Sequence, residues 1–296
     1  ARSIERVWRK VLRMNKWVLG ARPRTLPAAI APVVVASALA GSDFSWFRAT
    51  LALNVGIWLQ IGVNFANDYS DGIKGTDDDR VGPIRLVASG IATSKSVKGA
   101  AFISFAIACI AGAWLTFLTT SPWLIVIGAI SIAAAWGYTG GKNPYGYKGL
   151  GDISVFIFFG VIATVGTFYV QTETITLTSF IVSIPMGVLS CAILAVNNLR
   201  DRPKDELAGK LTVAVRIGDT KARYMYVALL ATAHIAAIAT LIPTALLTLL
   251  LLPMSLSISR QVLSGASGME LVPVLGRTGK LQLMFSIVFA VALAIQ

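Results

Sequence analysis

Histidine, cysteine and acidic side chains are scarce in this 296-residue chain: one His, two Cys and 14 Asp or Glu. His234 stands alone in an apolar run, so zinc chemistry and histidine-based triads are poorly served. Cys109 and Cys191 also lie inside apolar segments, with neither a disulfide framework nor metal-ligand spacing. Charge is thin throughout. Only 14% of residues are charged and 55% are hydrophobic, against about 25% and 45–50% in ordinary soluble domains. A soluble chain with a mean hydropathy of +0.72 could not cover its apolar surface. Disordered, collagen-like and disulfide-scaffold classes fall on the same figures. The composition is that of a polytopic membrane protein.

Apolar stretches able to span a bilayer need about 20 residues, with some tolerance. They fall at 25–41, 49–67, 97–119, 122–138, 153–171, 178–199, 222–242, 244–260 and 281–296. The expected fold class is all-α, with nine transmembrane helices in one bundle. Pro32, Pro185 and Pro253 are expected to kink their helices rather than abolish them. With nine spans, all but one of the 26 Lys and Arg residues lie on the side of the N-terminus, Arg48 being the exception. The positive-inside rule then puts the N-terminus in the cytoplasm and the C-terminus outside, in a plasma-membrane protein. The formal net charge of +12 fits basic loops against anionic lipid; no nucleic-acid-binding module accompanies it. In residues 1–24, set apart from the bundle at 25–296, Ile4, Val7, Trp8, Val11 and Leu12 share one helical face. Arg2, Arg6, Arg9, Lys10 and Arg13 fill the other. This pattern predicts an amphipathic helix on the cytoplasmic leaflet. A signal peptide ending near Ala38-Leu39-Ala40 is the alternative, opposed by the long basic start and two interrupting prolines.

All but two of the 14 acids, Asp43 and Glu173, fall on the cytoplasmic side. Two clusters end spans two and six: Asn64, Asn67, Asp68 and Asp71, and Asn197, Asn198, Asp201 and Asp205. Each repeats Asn-x-x-x-Asp with a further Asp three or four residues on, so a helix presents an amide and two carboxylates on one face. Carboxylates crowded at a membrane boundary need a cation, and oxygen-only ligands with amides point to Mg²⁺. The Asp77–Asp79 run reads instead as a solvated turn. Lys74, Arg80 and Arg85 follow the first cluster; Arg200, Lys210 and Arg216 surround the second; Lys142 stands four residues after Tyr138. Cations beside carboxylate-bound Mg²⁺ suit a diphosphate leaving group.

At these residues the sequence resembles the UbiA superfamily of intramembrane prenyltransferases, nine-helix enzymes with two aspartate-rich motifs. The stretches that carry the likeness are Arg22–Pro27, Asn64–Gly75, Arg80–Arg85, Tyr145–Asp152, Asn197–Asp201, Ala208–Thr212 and Val215-Arg216. They are most similar to the branch that prenylates 1,4-dihydroxy-2-naphthoate in menaquinone synthesis. The resemblance implies a polyprenyl diphosphate donor, its tail among the spans and its head at the cytoplasmic rim. Asp68, Asp71, Asp201 and Asp205, with Asn64 and Asn197, would hold Mg²⁺. Lys142 and Arg85, with Lys74, Arg200 and Lys210, would neutralise the departing diphosphate. Tyr138 would face the allylic cation, and the naphthoate would attack it with loss of CO₂ to give the demethylmenaquinone skeleton. One departure stands out: many members place the last acid of the first motif at the position of Gly72, and here it is Asp71. Two other readings compete. One is a family member acting on another aromatic acceptor, such as a hydroxybenzoate or homogentisate. The other is a cation-coupled transporter, opposed by acids that gather at one membrane face rather than at mid-membrane.

Overall fold

The computed structural model describes residues 15–75 and 84–295, and all regular structure among them is helical. Most of the expected N-terminal amphipathic helix, with Arg80 and the Asp77–Asp79 run, lies outside the described residues. Among the described residues, six helices are long and apolar enough to cross a membrane: Trp46–Lys74 (α3), Ser94–Thr119 (α4), Gly151–Thr172 (α6), Leu177–Leu207 (α7), Pro243–Leu263 and Gly268–Ala294. Two shorter apolar helices, Pro27–Leu39 (α2) and Trp123–Gly137 (α5), join them. Short helices at Lys16–Ala21 (α1) and Val213–Ile217 (α8) and a longer one at Asp219–Ile238 (α9) complete the set before Leu252–Leu263 (α10) and Leu271–Ala294 (α11). The chain is a multi-pass membrane protein.

The prolines behave differently from one another. Pro32 and Pro185 lie within continuous helices, whereas Pro253 sits in the first turn of α10, after a 3₁₀ stretch at Pro243–Leu251. Proline is well tolerated in a first turn because its missing N–H has no helical partner there.

Two helices run beyond the apolar stretches that announce them. α3 continues through the first acidic cluster to Lys74 and stops at Gly75, whose φ of 70° returns its N–H to the carbonyls of Asp71 and Gly72. α7 continues through the second cluster to Leu207. Both clusters therefore ride on rigid helix rather than on loops. α7 is the most enclosed of the long helices and packs on α9, α11 and α6 in the larger apolar core. At its crossing with α6, a Cβ on Gly160 would lie 2.6 Å from the Gly187 Cα, so only glycine permits that approach. A smaller core joins α1, α3 and α4 to residues around Leu86.

The opposite end of α3 is pinned by Arg48. Its guanidinium donates to the carbonyls of Val170 and Gln171 at 3.0 and 3.1 Å and of Leu118 at 3.3 Å, and pairs with Glu173 at 2.8 Å. A cation at the C-terminal ends of α4 and α6 satisfies carbonyls that have no helical donor and suits the helix dipoles.

Candidate active site

A cavity of about 1520 Å³ lies among α2, α3, α4, α5, α6 and α7, larger than the roughly 300–1,000 Å³ usual for small-molecule sites. At one end it meets Asn64, Asn67, Asp71 and Arg85 from the first motif region and Asn197, Asn198, Arg200, Asp201, Asp205 and Lys210 from the second. Tyr138 and Arg22 line it too. Apart from Arg24, Gln60 and Tyr145, the rest of the wall is apolar or small. The α6 wall is built from Ser154, Val155, Phe158, Phe159, Ile162, Ala163, Gly166, Thr167 and Val170, a four-residue repeat. On a plain α-helix such a repeat drifts by about 40° per step and would leave the cavity within the span. The π-helical turn at Phe156–Ile162 absorbs that drift and keeps one face on the cavity along its length.

The expected site residues divide into two groups. Nine of them, Asn64, Asp71, Arg85, Tyr138, Asn197, Arg200, Asp201, Asp205 and Lys210, line this single cavity. Asp68, Lys74 and Lys142 are not among its lining residues. Asp68 is completely buried, and its two oxygens accept the backbone N–H groups of Leu86 and Val87 at 2.9 and 3.0 Å. It thereby fixes the turn that carries Arg85 to the cavity. Lys74 donates to the Thr139 carbonyl at 2.7 Å. Lys142 is exposed, just after the left-handed Gly141. Gly72 explains the shifted acid: a Cβ there would lie 2.6 Å from the Val87 side chain, so no carboxylate fits at 72, while Asp71 reaches the cavity.

Ion pairs organise the polar end. Arg200 grips Asp201 with two hydrogen bonds of 2.7 Å, a planar fork on a carboxylate. Arg85 stands 3.8 Å from Asp71, and Lys210 3.7 Å from Asp205. The third guanidinium nitrogen of Arg200, Nη1, is buried without a hydrogen bond among the described residues. A buried cationic donor on a cavity wall suits an anionic ligand. Asn64 donates to the Ala21 carbonyl and to Thr25 Oγ1, at 2.9 and 3.0 Å, and Gln60 supports the same Thr25. This holds Arg22 in place with φ of 52°, a backbone conformation costing a non-glycine residue about 1–3 kcal/mol. Tyr138 meets Tyr145 edge to face with centroids 5.5 Å apart, and the Tyr145 hydroxyl donates to the Ala134 carbonyl at 2.8 Å.

Sequence reasoning passed over Arg22, Asn67, Thr139 and Tyr147 as individual site residues. The Thr139 hydroxyl donates to Asn67 at 2.8 Å, and the Tyr147 hydroxyl to Asp71 at 2.6 Å. Arg22, Asn67 and Tyr147 did lie inside stretches already singled out, Arg22–Pro27, Asn64–Gly75 and Tyr145–Asp152, whereas Thr139 lay in none of them.

A helical membrane bundle with an acid- and arginine-rich pocket end opening into a long apolar chamber is built for a molecule with an anionic head and a greasy body. The family model for the UbiA prenyltransferase family matches residues 29–269. This chain belongs to that family. The 1,4-dihydroxy-2-naphthoate octaprenyltransferase of Mycobacterium tuberculosis is 49% identical over 283 residues, covering 94% of this chain and 97% of its own. The protein of the same name from Escherichia coli is 39% identical over 229 residues, covering 75% and 74%. Among solved structures, a UbiA homologue from Archaeoglobus fulgidus bound to GPP and Mg²⁺ superposes with a TM-score of 0.68 at 13% identity, covering 95% of this chain and all of that one. An apo UbiA homologue from Aeropyrum pernix gives 0.69 at 15% identity, covering 92% and 97%.

Proposed function

We propose that this chain transfers a polyprenyl group from a polyprenyl diphosphate to 1,4-dihydroxy-2-naphthoate, releasing diphosphate and CO₂. It does so as a nine-span bundle at 25–296, with its N-terminus and active site on the cytoplasmic side of the plasma membrane and its C-terminus outside. The carrying observation is one cavity that joins Asp71, Asp201, Asp205, Arg85, Arg200 and Lys210 to an apolar interior, in a chain so similar to dihydroxynaphthoate prenyltransferases. The one-sided distribution of Lys and Arg supports the orientation.

The residues fit Mg²⁺. The donors are carboxylate and amide oxygens, and Mg²⁺ is typically held by one or two carboxylates plus substrate phosphates. Among the described residues no three acids form a closed metal knot; the acids are divided between α3 and α7 around one cavity. Asp71, Asn197, Asp201 and Asp205, with Asn64 at the edge, would hold the ion, and Asp68 supports them by fixing the Arg85 turn. When bound, Mg²⁺ supplies charge neutralisation on the diphosphate.

Arg85, Arg200 and Lys210 bind the diphosphate oxygens as the allylic C–O bond breaks and its electron pair leaves with the diphosphate. The apolar chamber keeps water from the resulting allylic cation, and the Tyr138 ring, held by Tyr145, faces it. The ring carbon of the acceptor that bears the carboxylate forms the new C–C bond. Loss of CO₂ returns the electron pair to the ring and yields the reduced demethylmenaquinone skeleton.

Purified protein should convert a polyprenyl diphosphate and dihydroxynaphthoate to product only with a divalent cation. Asp201→Asn should lower turnover at least a hundredfold with the melting temperature preserved; an active Asp201→Asn protein would overturn the assignment. Dihydroxynaphthoate should outcompete hydroxybenzoate and homogentisate in a mixed-acceptor assay.

A further inference from the structure

Tyr147 sits where the two acidic clusters meet the loop between α5 and α6. Its hydroxyl donates to Asp71 Oδ1 at 2.6 Å, across 76 residues of sequence. The Lys74 ammonium lies 5.1 Å from its ring centroid and the Lys210 ammonium 5.0 Å. Its carbonyl accepts the Leu211 N–H at 2.8 Å, and Arg216 donates to the next carbonyl, Lys148, at 2.8 Å. One side chain thus touches an acid and a lysine of the first motif region and a lysine of the second. Its backbone is tied to the segment that follows the second motif.

From this we infer that Tyr147 is a positioning residue for the cation site. Its hydroxyl sets the rotation of the Asp71 carboxylate. Its ring helps to hold Lys74, which also donates to the Thr139 carbonyl, and Lys210, which stands 3.7 Å from Asp205, so that Lys210 does not close further on that acid. The inference rests on the reading of these acids as metal-binding. A carboxylate ligand whose second partner is a fixed donor binds metal in one preset orientation, and loss of such a partner typically costs about 10–100-fold in metal affinity or activity. An ammonium within about 6 Å of a ring face is held there by the ring's quadrupole. Removing the hydroxyl and removing the ring therefore have different consequences. The first loosens Asp71 alone. The second also lets Lys210, already 3.7 Å from Asp205, close fully on that acid, where it competes with the cation and no longer stands ready for the diphosphate.

The test uses the full chain in detergent with Mn²⁺ as a paramagnetic probe, its free concentration read by electron paramagnetic resonance, with and without inorganic pyrophosphate. Tyr147→Phe should raise the Mn²⁺ dissociation constant about tenfold while the melting temperature holds. With saturating cation its KM for the prenyl diphosphate should stay near that of the unsubstituted protein. Tyr147→Leu should raise both the Mn²⁺ constant and that KM. Equal Mn²⁺ affinity in Tyr147→Phe and the unsubstituted protein would overturn the inference and leave the proposed function standing. Failure of the unsubstituted protein to bind Mn²⁺ even with pyrophosphate would overturn both.

Discussion

The chamber can be shortened with one side chain. Gly128 on α5 lines the cavity, and a Cβ built on it meets nothing within 4 Å, so a larger side chain can start from this stretch of the chamber wall without a clash at its first carbon. Gly128 lies ten residues before Tyr138, about 15 Å along the helix at 1.5 Å per residue. An isoprene unit adds four bonds of about 1.5 Å to the chain, or about 5 Å when extended. Three units therefore fit before position 128, and a tail of eight does not. Crowding a packed apolar chain by a few methylenes costs about 1–3 kcal/mol, which is about 5-fold to 150-fold in kcat/KM. Gly128→Leu should impose that loss on an eight-unit donor and leave a two-unit donor within about twofold. The helix itself should gain stability, because leucine is a better helix former than glycine by roughly 0.8 kcal/mol. The assay is product formation from the two donors by chromatography, run beside a melting curve. Equal effects on both donors, or none on the long one, would refute the placement of the tail.

Two further outcomes follow from the same structure. Asp68→Asn removes the charge that receives the N–H groups of Leu86 and Val87. It should cost about 1.5–3 kcal/mol of stability, and it should raise the KM for the prenyl diphosphate as Arg85 loses its support; an unchanged melting temperature would contradict this. Asp219, at the start of α9, has its carboxyl held below the usual range by hydrogen bonds from Arg223 and by the charges of Arg223 and Arg202. A depressed carboxyl contributes stability above its ordinary pKa and loses it as pH falls through the lowered value. The melting temperature of the unsubstituted protein should therefore drop below about pH 4 by more than that of Asp219→Asn, and salt should shrink the difference because the carboxyl is partly exposed.

Much of the architecture was legible in the sequence because lipid imposes a coarse code. Long apolar stretches became helices, and the matching Asn/Asp clusters did end up on one cavity. That α3 and α7 carry those clusters on continued helix was legible in the three- and four-residue spacing of Asn and Asp, though not in hydropathy, whose apolar stretches stop at 67 and 199. The Phe156–Ile162 stretch reads as an ordinary apolar run, and its π turn follows from what α6 must face rather than from composition. Asp68 and Asp71 have equal standing in the motif. They part company only because Val87 and the turn at Leu86 fold back onto α3, filling the space at Gly72 and taking both oxygens of Asp68. Tyr147 was hidden for the same reason: its partners are brought to it by three separate elements. Short sequence patterns register helix faces well, but not contacts between segments so far apart.

The account depends on α3 and α7 sharing one diphosphate. An anomalous-scattering map from crystals grown with Mn²⁺ and a short prenyl diphosphate tests it most directly. Metal peaks should lie between Asp71 and the Asp201–Asp205 pair, with the diphosphate against Arg85 and Arg200 and the tail running toward Gly128. Metal bound by one motif alone, or a diphosphate seated outside this cavity, would contradict the account.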